Sequence, residues 1–171
     1  MQNYFQLFQL PQQFDIDLTK LETSYRAIQT ASHPDRYVTA SDSEKLVAIQ
    51  TATSANEAYK ILKNPALRAE YLLSQQGIIA IAETNTAMPA DFLMQQMEWR
   101  EAIEDAENAK DIGELDRLLV TIRSESKALQ QMLTEQFKRQ MLSEATDTTR
   151  KLIFMEKVQA DIRDVIEKLE G

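Results

Sequence analysis

Cysteine is absent from the 171 residues, which excludes disulfides, cysteine-ligated zinc and cysteine-held iron–sulfur clusters within the chain. A single histidine cannot build a histidine-based metal site. Glycine and proline are scarce, three and four respectively, so breaks are few, and the abundance of Ala, Leu, Glu, Gln and Met predicts an all-α protein. No window approaches the run of about 20 apolar residues that a membrane helix needs. The start, Met-Gln-Asn-Tyr-Phe-Gln, has neither the positive n-region nor the apolar h-region of a leader, so the expectation is a soluble, cytoplasmic chain without a membrane partner. Positive charge is also short: 19 Lys/Arg stand against 27 Asp/Glu, and the net −8 disfavours nucleic acid as a partner.

What is present is unevenly placed. Residues 1–76 carry 7 basic and 8 acidic side chains, net −1, whereas residues 77–171 carry 12 and 19, net −7. Hydrophobic content of 43% suffices for one medium core or two small ones. The charge asymmetry favours two halves that face different partners.

The stretch around which the first half is organised is His33-Pro34-Asp35. Proline holds its predecessor extended and fixes its own φ, so Ser32-His33-Pro34 ends the helical pattern before it. Asp35 is expected to close the turn through side-chain to backbone bonds, leaving an imidazole beside a carboxylate at a loop tip. A bare tripeptide of this kind also describes a plain interhelical turn, and only its surroundings decide.

Those surroundings are helical. Asn3 caps a short cluster of Tyr4, Phe5, Leu7, Phe8 and Leu10 that Pro11 should end. Asp17 caps a helix with Leu18, Leu21, Tyr25 and Ile28 at three- and four-residue spacing and Ala27 and Ala31 for close approach; it runs to the corner. Ser41-Asp42-Ser43-Glu44 is a capping box that opens a second long helix, with Leu46, Ile49, Ala52, Ala55, Tyr59 and Leu62 inward. Asn64-Pro65 restarts a helix and Gly77 stops it. Two helices joined by a short polar loop pack antiparallel, which leaves the corner exposed at the end of a hairpin.

A His-Pro-Asp corner in this setting, with Tyr4-Phe5-x-Leu7-Phe8 before it and Asn56-Glu57-Ala58-Tyr59-x-x-Leu62 and Arg68-Ala69-Glu70-Tyr71 after it, resembles a J-domain over residues 1–76. The resemblance implies docking on an ATPase chaperone of the DnaK class and stimulation of its ATP hydrolysis. It assigns that role to His33, Pro34 and Asp35, and sets Arg26 and Arg36 against an acidic chaperone surface. The helix before the corner is less basic than in general J-proteins, with Glu22 near Arg26, which implies a specialised chaperone.

Residues 77–90 read as a linker whose Ile-Ile-Ala-Ile stretch is too apolar for free solvation, so packing on one or both halves is expected. From Pro89 to about Ala109 a helix places Phe92, Trp99, Ile103 and Ala106 on one stripe. Leu93, Met94 and Met97 lie roughly opposite, on a second face shared with Glu98, Glu101, Glu104 and Asp105. A helix apolar on two faces is either sandwiched or offers one to a partner, and methionines adapt to an incoming surface. Asp111-Ile112-Gly113-Glu114 opens a long helix that can reach Ser143, with Leu115, Leu118, Leu119, Ile122, Leu129, Leu133 and Phe137 inward. Asp147 is expected to cap the last helix, with a stripe of Leu152, Met155, Val158, Ile162, Val165, Ile166 and Leu169; Phe154 sits at its margin. The expectation for residues 91–171 is an antiparallel three-helix bundle.

A J-domain without a Gly/Phe-rich segment or zinc cysteines, followed by a compact acidic bundle, resembles the HscB family of iron–sulfur cluster co-chaperones over the whole chain. The resemblance implies a chaperone partner of the HscA type, a cluster scaffold protein of the IscU type, no cofactor and no enzymatic chemistry. It places scaffold binding on Leu93, Met94, Met97, Glu98, Glu101 and Asp105, and on Phe154 within Arg150-Lys151-Leu152-Ile153-Phe154. The alternatives are a carboxylate metal-binding protein built on Glu98, Glu101, Glu104 and Asp105, or a purely structural helical module. Ferritin-like sites need Glu-x-x-His pairs, and residues 77–171 contain no histidine.

Overall fold

The computed structural model describes residues 2–81 and 88–171. The chain forms two compact units, Met1–Leu72 and Leu73–Gly171. The division falls within a helix, ahead of the boundary expected at residue 76.

The first unit holds α1 (Tyr4–Leu7), α2 (Leu18–Ala31), a 3-10 turn (Pro34–Tyr37), α3 (Asp42–Lys63) and the start of α4 (Pro65–Gln75). Asn3, Asp17 and Ser41 cap α1, α2 and α3 by accepting backbone N–H bonds, as the sequence predicts. Phe5 and Phe8 of the N-terminal cluster are buried, and α1 packs on α3. The inward stripe of α3 differs from expectation. Ala48, Ala55, Ala58 and Leu62 are buried, while Leu46 and Ile49 are exposed. Alanines at seven-residue spacing let the α2 and α3 axes approach, and that stripe, rather than the bulkier one, turns inward. Ala27 and Ala31 of α2 are exposed, so the close approach is made by α3 alone.

Aromatic contacts lock the hairpin. Tyr25 and Tyr59 stack with centroids 4.0 Å apart, and the Tyr25 hydroxyl donates to Asn56 Oδ1 at 2.6 Å. Tyr4 stacks on Tyr71 at 4.5 Å, and its backbone N–H donates to the Tyr71 hydroxyl at 3.0 Å. The buried Arg68 donates to the Leu62 carbonyl at 2.6 Å and lies 4.8 Å from the Phe14 ring centroid.

The second unit contains α5 (Ala90–Asn108), α6 (Ile112–Lys138) and α7 (Leu142–Glu170). Aromatic contacts join Phe92 and Trp99 of α5 to Phe154 of α7, and Glu107 Oε1 meets Lys168 Nζ at 3.2 Å, so α5 and α7 run in the same direction with α6 antiparallel between the short loops. The core gathers Phe92, Trp99 and Ala106 of α5, Leu115, Leu119 and Ile122 of α6, and Met155, Val158 and Ile162 of α7. These are the stripes the periodicity predicts.

Helix ends explain what the sequence reading misplaced. At α1, α4, α5 and α6 two backbone bonds close the same left-handed stop, as in Leu10 N–H to Phe5 O with Gln9 N–H to Gln6 O, and Met141 N–H to Gln136 O with Gln140 N–H to Phe137 O. Gly77 supplies the positive φ after α4, but Gln9, Lys110 and Gln140 do so elsewhere, at 56°, 53° and 57°. Hence α1 stops at Leu7 before Pro11, and α6 ends at Lys138 rather than Ser143. Asp147 lies inside α7 and does not cap it. The hydroxyls of Thr146, Thr148 and Thr149 donate to carbonyls four residues back, so a polar run that reads as a cap continues the helix.

The linker packs unevenly. Ala80 is buried and its carbonyl accepts from Arg150 Nε at 2.6 Å, whereas Ile79 and Ile81 are exposed, contrary to the expectation drawn from the apolar run. Residues 82–87 of the expected linker lie outside the described residues.

Candidate functional sites: an exposed corner and an exposed helix face

At the corner, His33 has the extended backbone that Pro34 imposes, φ −63° and ψ 136°. Pro34 opens the 3-10 turn without an N–H, so the first free donor is the Asp35 amide. His33 Nδ1 accepts it at 3.2 Å, an N-cap made by imidazole. The sequence reading gave the closing role to the Asp35 carboxylate. It falls to His33 because the residue before Pro34 occupies the capping position. An imidazole that accepts a hydrogen bond at Nδ1 has Nε2 as its donor atom. Asp35 Oδ2 lies 3.6 Å from Nδ1, and the two side chains are 59% and 90% exposed. Tyr37 ties the corner to α2, its hydroxyl donating to the Ala31 carbonyl at 3.0 Å. No sequence signal marked Tyr37 for that task. Pro34 and Arg36 are exposed beside the pair. Arg26 is also exposed, with Nη2 2.7 Å from Glu22 Oε1. That bond partly neutralises the one basic side chain the reading placed on this part of α2.

On α5, Phe92, Trp99 and Ala106 are buried while Leu93, Met94 and Met97 are 45%, 63% and 70% exposed. Glu98, Glu101, Glu104 and Asp105 are exposed along the same side. From Met94 to Asp105 the face extends about 16 Å at 1.5 Å per residue. Gln95 Nε2 touches Glu98 Oε2 at 3.5 Å, but Glu101 and Asp105 make no ion pair with a described residue. The arrangement is an apolar end continued by an acidic end. Phe154 stands apart. Its ring is only partly exposed, packs edge-on to Phe92 at 5.7 Å, stacks on Trp99 at 6.5 Å and lies 6.0 Å from the Arg100 guanidinium. It therefore joins the exposed face to the core. Arg150, in the same segment, is 9% exposed in its side chain and spent on Ala80 and Asp147.

Similarity to known proteins covers both units. A co-chaperone protein HscB homolog of Burkholderia thailandensis is 49% identical over 98% of this chain and 96% of its own length. The chain belongs to the HscB co-chaperone family. The family described as "HSCB C-terminal oligomerisation domain" matches residues 88–163. The chaperone HscB of Vibrio cholerae superposes with a TM-score of 0.86 at 37% identity, covering 98% of this chain and 99% of its own. Human co-chaperone HscB gives a TM-score of 0.88 at 26% identity over 95% of this chain and 81% of its own. The fold is accordingly that of HscB: an N-terminal J-domain carrying the corner and a C-terminal helical bundle carrying the α5 face. HscB proteins are co-chaperones of iron–sulfur cluster assembly that work with DnaK-type chaperones, and they are not enzymes. Among the described residues no helix is long and apolar enough to cross a membrane.

Proposed function

We propose that this HscB-family chain links two proteins in the cytoplasm: the corner engages an HscA-type chaperone and stimulates its ATP hydrolysis, while the α5 face holds an IscU-type scaffold. The observation that carries the reading is that Leu93, Met94 and Met97 stand in solvent on a helix whose opposite face already fills the core. Exposed large apolar side chains that contribute nothing to the core mark an interaction surface, and the Glu98, Glu101 and Asp105 continuation suits a scaffold with a basic rim. At the corner His33, Pro34 and Asp35 bind the chaperone, with Arg36 and Arg26 meeting acidic groups on it.

No bond is made or broken by this chain. Tethering the scaffold to the same molecule that docks the chaperone raises the scaffold's effective concentration at the chaperone's substrate site, and the corner couples that encounter to hydrolysis.

The test is calorimetric titration of cluster-free scaffold protein into the full chain. Wild type should bind, and the double variant Leu93→Ser, Met94→Ser should weaken binding at least tenfold while stimulation of the chaperone in the absence of scaffold is retained. Equal binding by both proteins would remove the α5 face from the reading.

A further inference from the structure

All the sulfur of this chain is in methionine, and its placement divides the molecule. Cysteine is absent, and after Met1 the next methionine is Met88, so residues 2–87, with the His33 corner among them, contain no sulfur. Of the methionines in the second unit, Met155 is buried and Met88 packs on the core, while Met132 and Met141 are partly exposed. Met94 and Met97 are the most exposed of all, and they stand together on the apolar end of the α5 face. The thioethers most open to an oxidant are therefore those at the centre of one surface. Glu98 lies four residues after Met94 and Glu101 four after Met97, the spacing at which side chains are neighbours on a helix.

Resting on the reading of the α5 face as the scaffold site, we propose that Met94 and Met97 are a modification site: hydrogen peroxide converts them to sulfoxides, which releases the scaffold and leaves the corner active. In each step the thioether sulfur attacks one oxygen of the peroxide. An S–O bond forms as the O–O bond breaks, and water leaves; sulfur loses two electrons and peroxide gains them. The product replaces a flexible apolar side chain with a polar one. Its oxygen only accepts hydrogen bonds, and so do the neighbouring carboxylates of Glu98 and Glu101, so these neighbours offer it no donor. That oxygen is solvated in the free chain, and a scaffold covering the face strips its water without replacing it, which opposes binding. Methionine sulfoxide reductases reverse the change, so the release is a switch. Because residues 2–87 hold no sulfur, the same oxidant leaves chaperone stimulation untouched and uncouples the two ends of the linker.

The test treats the full chain with hydrogen peroxide, removes the oxidant and titrates untreated, cluster-free scaffold protein, with peptide mass spectrometry locating the added oxygen. Sulfoxide should form first at Met94 and Met97, and affinity should fall about tenfold and return on treatment with methionine sulfoxide reductases. Stimulation of the chaperone without scaffold should be unchanged. In Met94→Leu, Met97→Leu, compared only with its own untreated form, peroxide should have no effect on binding. Unchanged wild-type affinity with both sulfoxides present overturns the switch; the α5 site still stands if Leu93→Ser, Met94→Ser fails to bind, and falls with it if that variant binds as wild type does. A peroxide-induced loss that persists in Met94→Leu, Met97→Leu assigns the effect to another methionine and overturns the proposal. So does a treated wild type whose circular dichroism melting shows a lost fold, since the damage would then lie in the core.

Discussion

Apolar side chains take opposite roles on neighbouring helices. Leu93 and Met94 are exposed, whereas Leu152 is fully buried in the adjoining helix. Leu152→Ala should destabilise by about 2–5 kcal/mol through lost transfer energy and a cavity. Leu93→Ser with Met94→Ser should cost about 1 kcal/mol or less, from helix propensity alone. Denaturant unfolding of the two proteins checks the contrast. Tyr4 offers a pH-dependent counterpart. Burial first, then the Glu57 carboxylate and Tyr71, raise its hydroxyl above the ordinary value of 10.0. Below pH 10 the phenol is neutral in folded and unfolded chains alike, and its full contribution is present. As pH rises through 10 and past the folded value, the unfolded chain ionises first and stability is lost. Alkaline unfolding followed by circular dichroism should shift upward in Tyr4→Phe. The surface of α5 was readable from periodicity because a 3.6-residue repeat assigns both faces at once. The capping role of His33 was not, since it depends on which amide Pro34 leaves free.

Helix boundaries carry a different lesson. The chain has only three glycines, and just one of them, Gly77, serves a left-handed stop. Gln9, Lys110 and Gln140 hold the others at a cost of roughly 1–2 kcal/mol per residue. Lys110→Gly and Gln140→Gly should therefore each stabilise the bundle by about 0.5–1 kcal/mol, a rise in the unfolding midpoint without change in helix content. Stops of this kind are nearly silent in sequence, so the pattern alone carries α6 on toward Ser143 and gives Asp147 the look of a cap, whereas α6 ends at Lys138 and Asp147 lies inside α7. Ala55→Leu addresses the hairpin. It would place a branched side chain where α3 is fully buried, and a loss of about 1–3 kcal/mol is expected from overpacking. The alanine stripe of α3 was missed because hydrophobic scoring favours Leu46 and Ile49, while packing rewards the smaller residues that permit approach.

For the whole molecule, composition and periodicity sufficed for an all-α chain, and the corner with its flanking aromatic motifs sufficed for the J-domain fold. The buried hydrogen bond from Arg150 to the Ala80 carbonyl spans residues far apart in the chain and left no trace in the pattern. A two-headed linker predicts that its two ends fail separately: α5 variants lose scaffold but keep chaperone stimulation, and corner variants do the reverse. The most direct measurement is steady-state ATP hydrolysis of the cognate DnaK-type chaperone, with and without scaffold, in the presence of wild type, His33→Gln or His33→Asn. Asparagine is itself a good N-cap, so the second variant retains the turn while removing the imidazole donor. The account predicts stimulation by wild type that scaffold enhances, and loss of stimulation in both variants with folding intact. Full stimulation by either variant would contradict it and reduce the corner to a turn between two helices.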